Sequence, residues 1–135
     1  KIVQLQHCDE YIKSDVGFPD FAPYNVGPRE FIQLIRDAEL VFTDSFHCSV
    51  FSMLNRKKFF TFRRYNNDSI VSTNGRIYDF LNEVELSNRL LTAHENPAEM
   101  LKQEIDYNKV SDKLEHLRQF TWDWLKDSLK DAKII

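Results

Sequence analysis

The residues best suited to chemistry lie together in Thr43-Asp44-Ser45-Phe46-His47, where an apolar run stops and a helical pattern begins. The start of a helix leaves backbone N–H groups unpaired and carries partial positive charge, so it can hold a phosphate or carboxylate. Ser45 and His47 add side-chain donors there, and a histidine beside a bound anion is suited to proton transfer. The same residues would also make an ordinary helix cap with a hydrogen-bonded histidine, and spacing leaves both readings open. Gly17, Gly27 and Gly75 are the only glycines, and their separation excludes both the dinucleotide fingerprint and the P-loop. Any anion site must therefore be built from a strand-to-helix junction.

Other candidates are weaker. His7-Cys8 and His47-Cys48 carry ligand-type side chains, but neighbours on an extended chain point apart, and no paired-cysteine or paired-histidine spacing occurs. No metal site is expected, and Cys48 reads as a small helix residue. His94 and His116 read as surface residues, and Asn67-Asp68-Ser69 as an incidental sequon. The run from Arg56 to Arg64 interleaves basic and aromatic residues in the manner of single-strand nucleic-acid platforms. A buried strand with charged ends explains it more simply. Arg63 and Arg64 then fall at the ligand-binding edge, and Arg56, Lys57 and Lys58 are solvated at the far edge.

Composition bounds the setting. The 135 residues suffice for one domain, and 42% hydrophobic with 29% charged residues is a globular profile. Eighteen basic against 21 acidic residues give a net charge of −3, which argues against a general nucleic-acid binder. Two cysteines make no disulfide framework, and no apolar run approaches the ~20 residues that span a bilayer, so a cytoplasmic setting is expected. The chain opens on Lys1 and a strand-like segment with no Met, which raises the expectation of a fragment.

The elements that must position the motif follow from periodicity. Ile2 to Leu5 reads as a short strand, and His7 to Pro28 as a connection of a length that is usually functional or packed against something else. Pro28 suits the first position of a helix with Phe31, Leu34, Ile35 and Ala38 on one face. Leu40 to Thr43 reads as a strand covered on both faces, Phe46 to Asn55 as a helix, and Phe59 to Phe62 as a second buried strand. Phe42, Phe46, Phe51, Phe59, Phe60 and Phe62 are expected in the core. A helix through Ile77, Phe80, Leu81 and Val84 follows, then a last short strand at Arg89-Leu90-Leu91 and a helix start at Asn96-Pro97. A long amphipathic helix at about 108–130 carries Val110, Leu114, Leu117, Thr121, Trp124 and Leu125, and is expected to pack across the domain. The fold class is α/β: a Rossmann-like parallel sheet with flanking helices, binding its ligand at the carboxyl ends of the strands.

Three strings then carry a family resemblance: Val26-Gly27-Pro28-Arg29-Glu30-Phe31, the Thr43-to-His47 motif with Val41-Phe42 before it, and Val50-Phe51-Ser52-Met53-Leu54. With Asn74-Gly75-Arg76-Ile77 and the Ile105-Asp106-Tyr107 tail, the chain from about Val26 to Leu129 resembles the polysaccharide pyruvyl transferase family. That resemblance implies the C-terminal domain of a GT-B-like two-domain enzyme, with the N-terminal domain of the same chain absent and residues 1–135 inactive alone. It implies transfer of an enolpyruvyl-derived group from phosphoenolpyruvate to two hydroxyls of a glycan or glycolipid acceptor, forming a pyruvate ketal. No cofactor is implied beyond the donor substrate, and the setting implied is the cytoplasm, at the inner face of the membrane with polysaccharide assembly enzymes.

By motif match, His47 would be the general acid. Ser45, with the backbone N–H groups of His47 and Cys48, would bind an anionic oxygen. Arg76 would be a second anchor, with Arg63 or Arg64 behind it and Asp44 in the same substrate-binding set. The chain departs from the family pattern at Cys48, where glycine is common, at Gly75, where serine is usual, and at Ser45, where some members carry arginine. A nucleotide-sugar glycosyltransferase of the same fold, or a non-catalytic domain that binds glycans or anions, is the alternative.

Overall fold

Pro28 lacks an N–H and has a fixed φ, so it fits the first turn of α1 (Pro28–Asp37), where the Gly27 carbonyl accepts the Phe31 N–H at 2.9 Å. In the computed structural model, which describes residues 1–5, 13, 16–63, 74–92 and 95–132, α1 leads into a β-α-β unit. Its parts are β1 (Leu40–Thr43), α2 (Phe46–Leu54) and β2 (Lys58–Thr61). The strands are parallel, with Val41 opposite Phe59, Phe42 opposite Phe60 and Thr43 opposite Thr61. Both strands therefore end at the same edge of the sheet, and α2 starts from that edge.

Side chains alternate across this small sheet. Phe59, with Val41 beside it, faces a core of Met53, Ile77, Leu81, Val84, Leu86 and Val110. Phe60 faces the other way, covered by Leu91 and Met100 with Leu40 alongside. Each fully buried phenylalanine contributes about 2–3 kcal/mol of burial free energy. The second face is covered only in part: Phe42 is 49% exposed and Phe62 37%. They form a short aromatic ladder, with Phe42 stacked between Phe60 at 5.6 Å and Phe62 at 6.1 Å. This corrects the expectation that the strand from Leu40 to Thr43 is covered on both faces and that all six phenylalanines are core. β2 begins and ends one residue earlier than its apolar run, so Phe62 falls outside it.

The segment at Leu90 contributes one parallel bridge to Thr61, with the Leu91 N–H on the Thr61 carbonyl at 2.8 Å. The expected last strand is thus a single-residue pairing on the side of β2 away from β1. Residues 2–5 do not join the described sheet either. Val3 bridges Phe21, and the Asp20 carboxylate accepts the Ile2 N–H at 2.6 Å, so the start of the chain is clasped to the 20–21 turn.

Beyond the sheet, α3 (Asn74–Glu83) packs Ile77 and Leu81 inward, and a 3-10 turn (Ser87–Arg89) follows. The short α4 (Pro97–Met100) starts as the sequence predicts, with the Asn96 side chain accepting the Ala98 N–H. α5 (Tyr107–Asp131) is capped by Asp106, whose carboxylate accepts the N–H groups of Asn108 and Lys109.

Two left-handed residues fix the start of α5. Arg56 (φ 55°) and Glu85 (φ 57°) sit just past the ends of α2 and α3, a conformation that glycine adopts with less strain. Arg56 donates to the Asn108 side chain at 3.0 Å, and Glu85 pairs with Lys109 at 2.5 Å and Lys113 at 2.7 Å. The Tyr107 hydroxyl donates to the Lys57 carbonyl, and Lys58 pairs with Glu104 at 2.5 Å. The Arg56 and Lys58 side chains are therefore not merely solvated; with the Lys57 carbonyl they tie α5 and its approach to the sheet.

Among the described residues, α5 packs on the core through its first turns, at Tyr107, Val110 and Leu114, and Leu117 and Leu125 of the expected face are half-buried. Farther along, Phe120 is 72% exposed and Trp124 63%. No helix among the described residues is long and apolar enough to cross a membrane.

Candidate functional site

Thr43 ends β1 and begins the turn into α2: its hydroxyl accepts the Ser45 N–H at 3.0 Å. Ser45 is the N-cap of α2, and its own hydroxyl accepts the Cys48 N–H at 3.3 Å. The Ser45 carbonyl then takes both the backbone N–H and the hydroxyl of Ser49, each at 3.0 Å. Among the described residues the structure records no backbone acceptor for the N–H groups of Phe46 and His47, which are then the donors that α2 presents at its start.

A small cleft opens there. It is lined by Asp44, Ser45, Phe46 and His47 from the β1–α2 junction, and by Asn74, Arg76 and Ile77 from the first turn of α3. Its volume is about 70 Å³. A space of that size suits a small anionic group such as a phosphate or carboxylate.

The two walls are joined through an aromatic ring. The Arg76 guanidinium carbon lies 5.6 Å from the Phe46 ring centroid. The same ring meets His47 edge-on at 5.7 Å and Phe80 edge-on at 5.8 Å. His47 and Arg76 are both exposed, so both can meet a ligand.

The sequence-predicted residues fare unevenly. Ser45, His47, Asp44 and Arg76 come together although 28 or more positions separate Arg76 from the others. Cys48 is buried behind the junction and does not line the cleft. Its N–H is already held by Ser45, so the expected anion contact from that group would require breaking the cap. Burial pushes its thiol pKa up, with the neighbouring Thr43 and Ser52 hydroxyls opposing, so the thiol is not poised as a nucleophile. Arg63 is exposed beyond β2 and does not line the cleft. Arg64, His7, Cys8, His94 and the Asn67 sequon lie outside the described residues. No group of three or more potential metal ligands occurs among the described residues.

Three lining residues, Phe46, Asn74 and Ile77, are not among the sequence-predicted site residues. Phe46 reads as an ordinary core phenylalanine, and only its position between Ser45 and His47 could have marked it. Asn74 is buried at the first position of α3. Its signal was the short Asn74-Gly75-Arg76 string before an apolar helix.

Comparison with known families bears on the same stretch. Residues 4–67 match the polysaccharide pyruvyl transferase family. The match agrees with the motif resemblance and spans α1, β1, α2 and β2, including Ser45 and His47. It covers just under half of the chain and stops before Asn74 and Arg76. No curated protein and no solved structure gives a significant match. The match takes in the Asp44-to-His47 side of the cleft and not the side formed by Asn74, Arg76 and Ile77.

Proposed function

We propose that this chain contributes the donor-binding half of a polysaccharide pyruvyl transferase site, with phosphoenolpyruvate as donor and a glycan or glycolipid as acceptor. The observation that carries this reading is the cleft itself: His47 and Arg76 face one phosphate-sized space at the start of α2, inside or beside the family match.

The chemistry balances as follows. His47 gives a proton to the methylene carbon of the donor, and a first sugar hydroxyl adds to the central carbon and loses its proton. A second hydroxyl then displaces phosphate, breaking the bond from the central carbon to the phosphate oxygen, and its proton leaves with the phosphate. The product is a pyruvate ketal. Arg76 and the N–H groups of Phe46 and His47 stabilise the anionic oxygens of the donor, where preorganised donors are most effective. Asp44 and Asn74 complete the wall. The remainder of donor and acceptor needs a facing surface, which a GT-B-like second domain would supply.

The test is made on the full-length enzyme. His47→Ala is expected to lower acceptor-dependent phosphate release from phosphoenolpyruvate by 10²-fold or more, the usual scale for a general acid. Unchanged release would remove His47 from that role. Thermal stabilisation by UDP or GDP sugars, and not by phosphoenolpyruvate, would point to a glycosyltransferase instead.

A further inference from the structure

The site as proposed has two cationic or proton-bearing groups on two different helices, and nothing in either helix alone sets the distance between them. Arg76 is exposed on the first turn of α3, and a long exposed side chain ordinarily samples several rotamers. Here its guanidinium lies over the Phe46 ring at 5.6 Å, a distance at which the ring quadrupole attracts a cation. Phe46 is itself held from behind by Phe80 of α3, edge-on at 5.8 Å, and it packs against the core that includes Ile77 and Leu81. Its ring also borders His47 at 5.7 Å with an interplanar angle of 75°.

We infer that Phe46 is a positioning residue, whose ring holds the Arg76 guanidinium beside His47 so that the two helices present one anion site. The inference rests on the proposed function for the identity of the anion, but the placement of Arg76 by Phe46 can be measured separately. The Phe46 ring, as distinct from its backbone N–H, is assigned no contact with the reacting atoms or the anion. It acts through Arg76, lowering the entropy that an anion would otherwise have to remove on binding. A leucine at 46 would keep an apolar contact to Ile77 and Phe80 and lose the ring face.

The experiment is a double-mutant cycle on the full chain, with inorganic phosphate as the probe and its affinity measured by calorimetry at low salt. Phe46→Leu is expected to weaken phosphate binding about three- to fivefold, the scale of one cation–π contact. Phe46→Tyr, which keeps the ring, is expected to stay within twofold of the parent. In the Arg76→Ala background, Phe46→Leu should have no further effect, because its partner is gone. A purely structural Phe46 would weaken binding in both backgrounds, and that result would overturn the inference. Melting temperatures of all variants identify any that fail to fold, and Phe46→Tyr then carries the ring-dependence alone, with a greater than fivefold loss counting against it. If Arg76→Ala itself leaves phosphate affinity unchanged, or the parent does not bind phosphate, the anion-site reading fails together with this one. If Arg76→Ala weakens binding and Phe46→Leu does not, only the positioning role fails.

Discussion

At the scale of single residues, Ser45 holds two properties that substitution can separate. As N-cap it stabilises α2 through the Cys48 N–H, and as a lining residue it borders the cleft. Ser45→Ala should cost about 1 kcal/mol of stability, read as a lower urea midpoint. Ser45→Asp should restore that stability, since aspartate caps as well and suits the helix dipole. It should also weaken phosphate binding by placing a carboxylate at the anion's position. Equal phosphate affinity for Ser45→Asp and the parent would remove Ser45 from the anion site.

Arg89 shows how residue type can mislead. It is 1% exposed, yet it faces backbone carbonyls rather than a carboxylate, donating to Gln103 at 3.2 Å and Glu104 at 3.3 Å. Its guanidinium lies 5.3 Å from the Phe60 ring centroid, and desolvation lowers its pKa, with Tyr107 and Glu104 opposing. Arg89 therefore pins the approach to α5 against the sheet. Arg89→Ala should cost about 2–4 kcal/mol by urea denaturation, because two carbonyls lose their donors and a space opens on Phe60. Arg89→Met should cost less, since it keeps the apolar contact. A loss under about 1 kcal/mol for Arg89→Ala would contradict this account.

At the scale of elements, α5 is fixed at one end by charge and by strained backbone. Hydrogen bonds and charges from Lys109 and Lys113 lower the Glu85 pKa from the ordinary 4.5 to about 2. A lowered carboxylate pKa adds stability above the unfolded value, and that stability is lost as pH falls through the folded one. The contribution is therefore complete above about pH 4.5 and lost between there and about pH 2. Glu85 is exposed, so the effect is small and salt-sensitive. The urea midpoint of the parent should drop relative to Glu85→Gln across that window, and 1 M salt should shrink the difference. Parallel profiles for the two proteins would show that Glu85 does not anchor α5.

The boundaries of the early elements were legible because each has a local cause. Pro28 starts α1, the apolar run from Leu40 gives β1, and Ser45 caps α2. The strand expected at residues 2–5 failed for a non-local reason: β-prone residues need a partner edge, and Phe21 provides one nearer in sequence than β1. Periodicity in α5 was equally clear, but periodicity says which face is apolar and not how much of it is covered. Only Val110 is buried along its 25 residues.

At the scale of the whole molecule, the unequal coverage of α5 gives a direct expectation. Ending the chain after Gln119 removes the exposed Phe120, Trp122 and Trp124 with the half-buried Leu125 and Leu129, and leaves in place every residue that is buried among those described. Its urea midpoint should stay close to that of the 135-residue chain, within the range of surface changes. A large loss would mean that the end of α5 contributes to the core after all.

The sequence by itself determined the β-α-β unit, the capped junction at Ser45, and the motif whose family match ends at residue 67. These depend on contacts between residues close in the chain, where capping, periodicity and proline geometry act. Only the tertiary structure decided that α3 brings Arg76 to the same cleft, that Phe46 lies between Arg76 and His47, and that Arg63 stands outside it. It also decided that the Cys48 N–H is spent within the cap. Those outcomes depend on how α2 and α3 pack together on the Phe59 face of the sheet, and that packing is a sum over many distant side chains that no local pattern encodes.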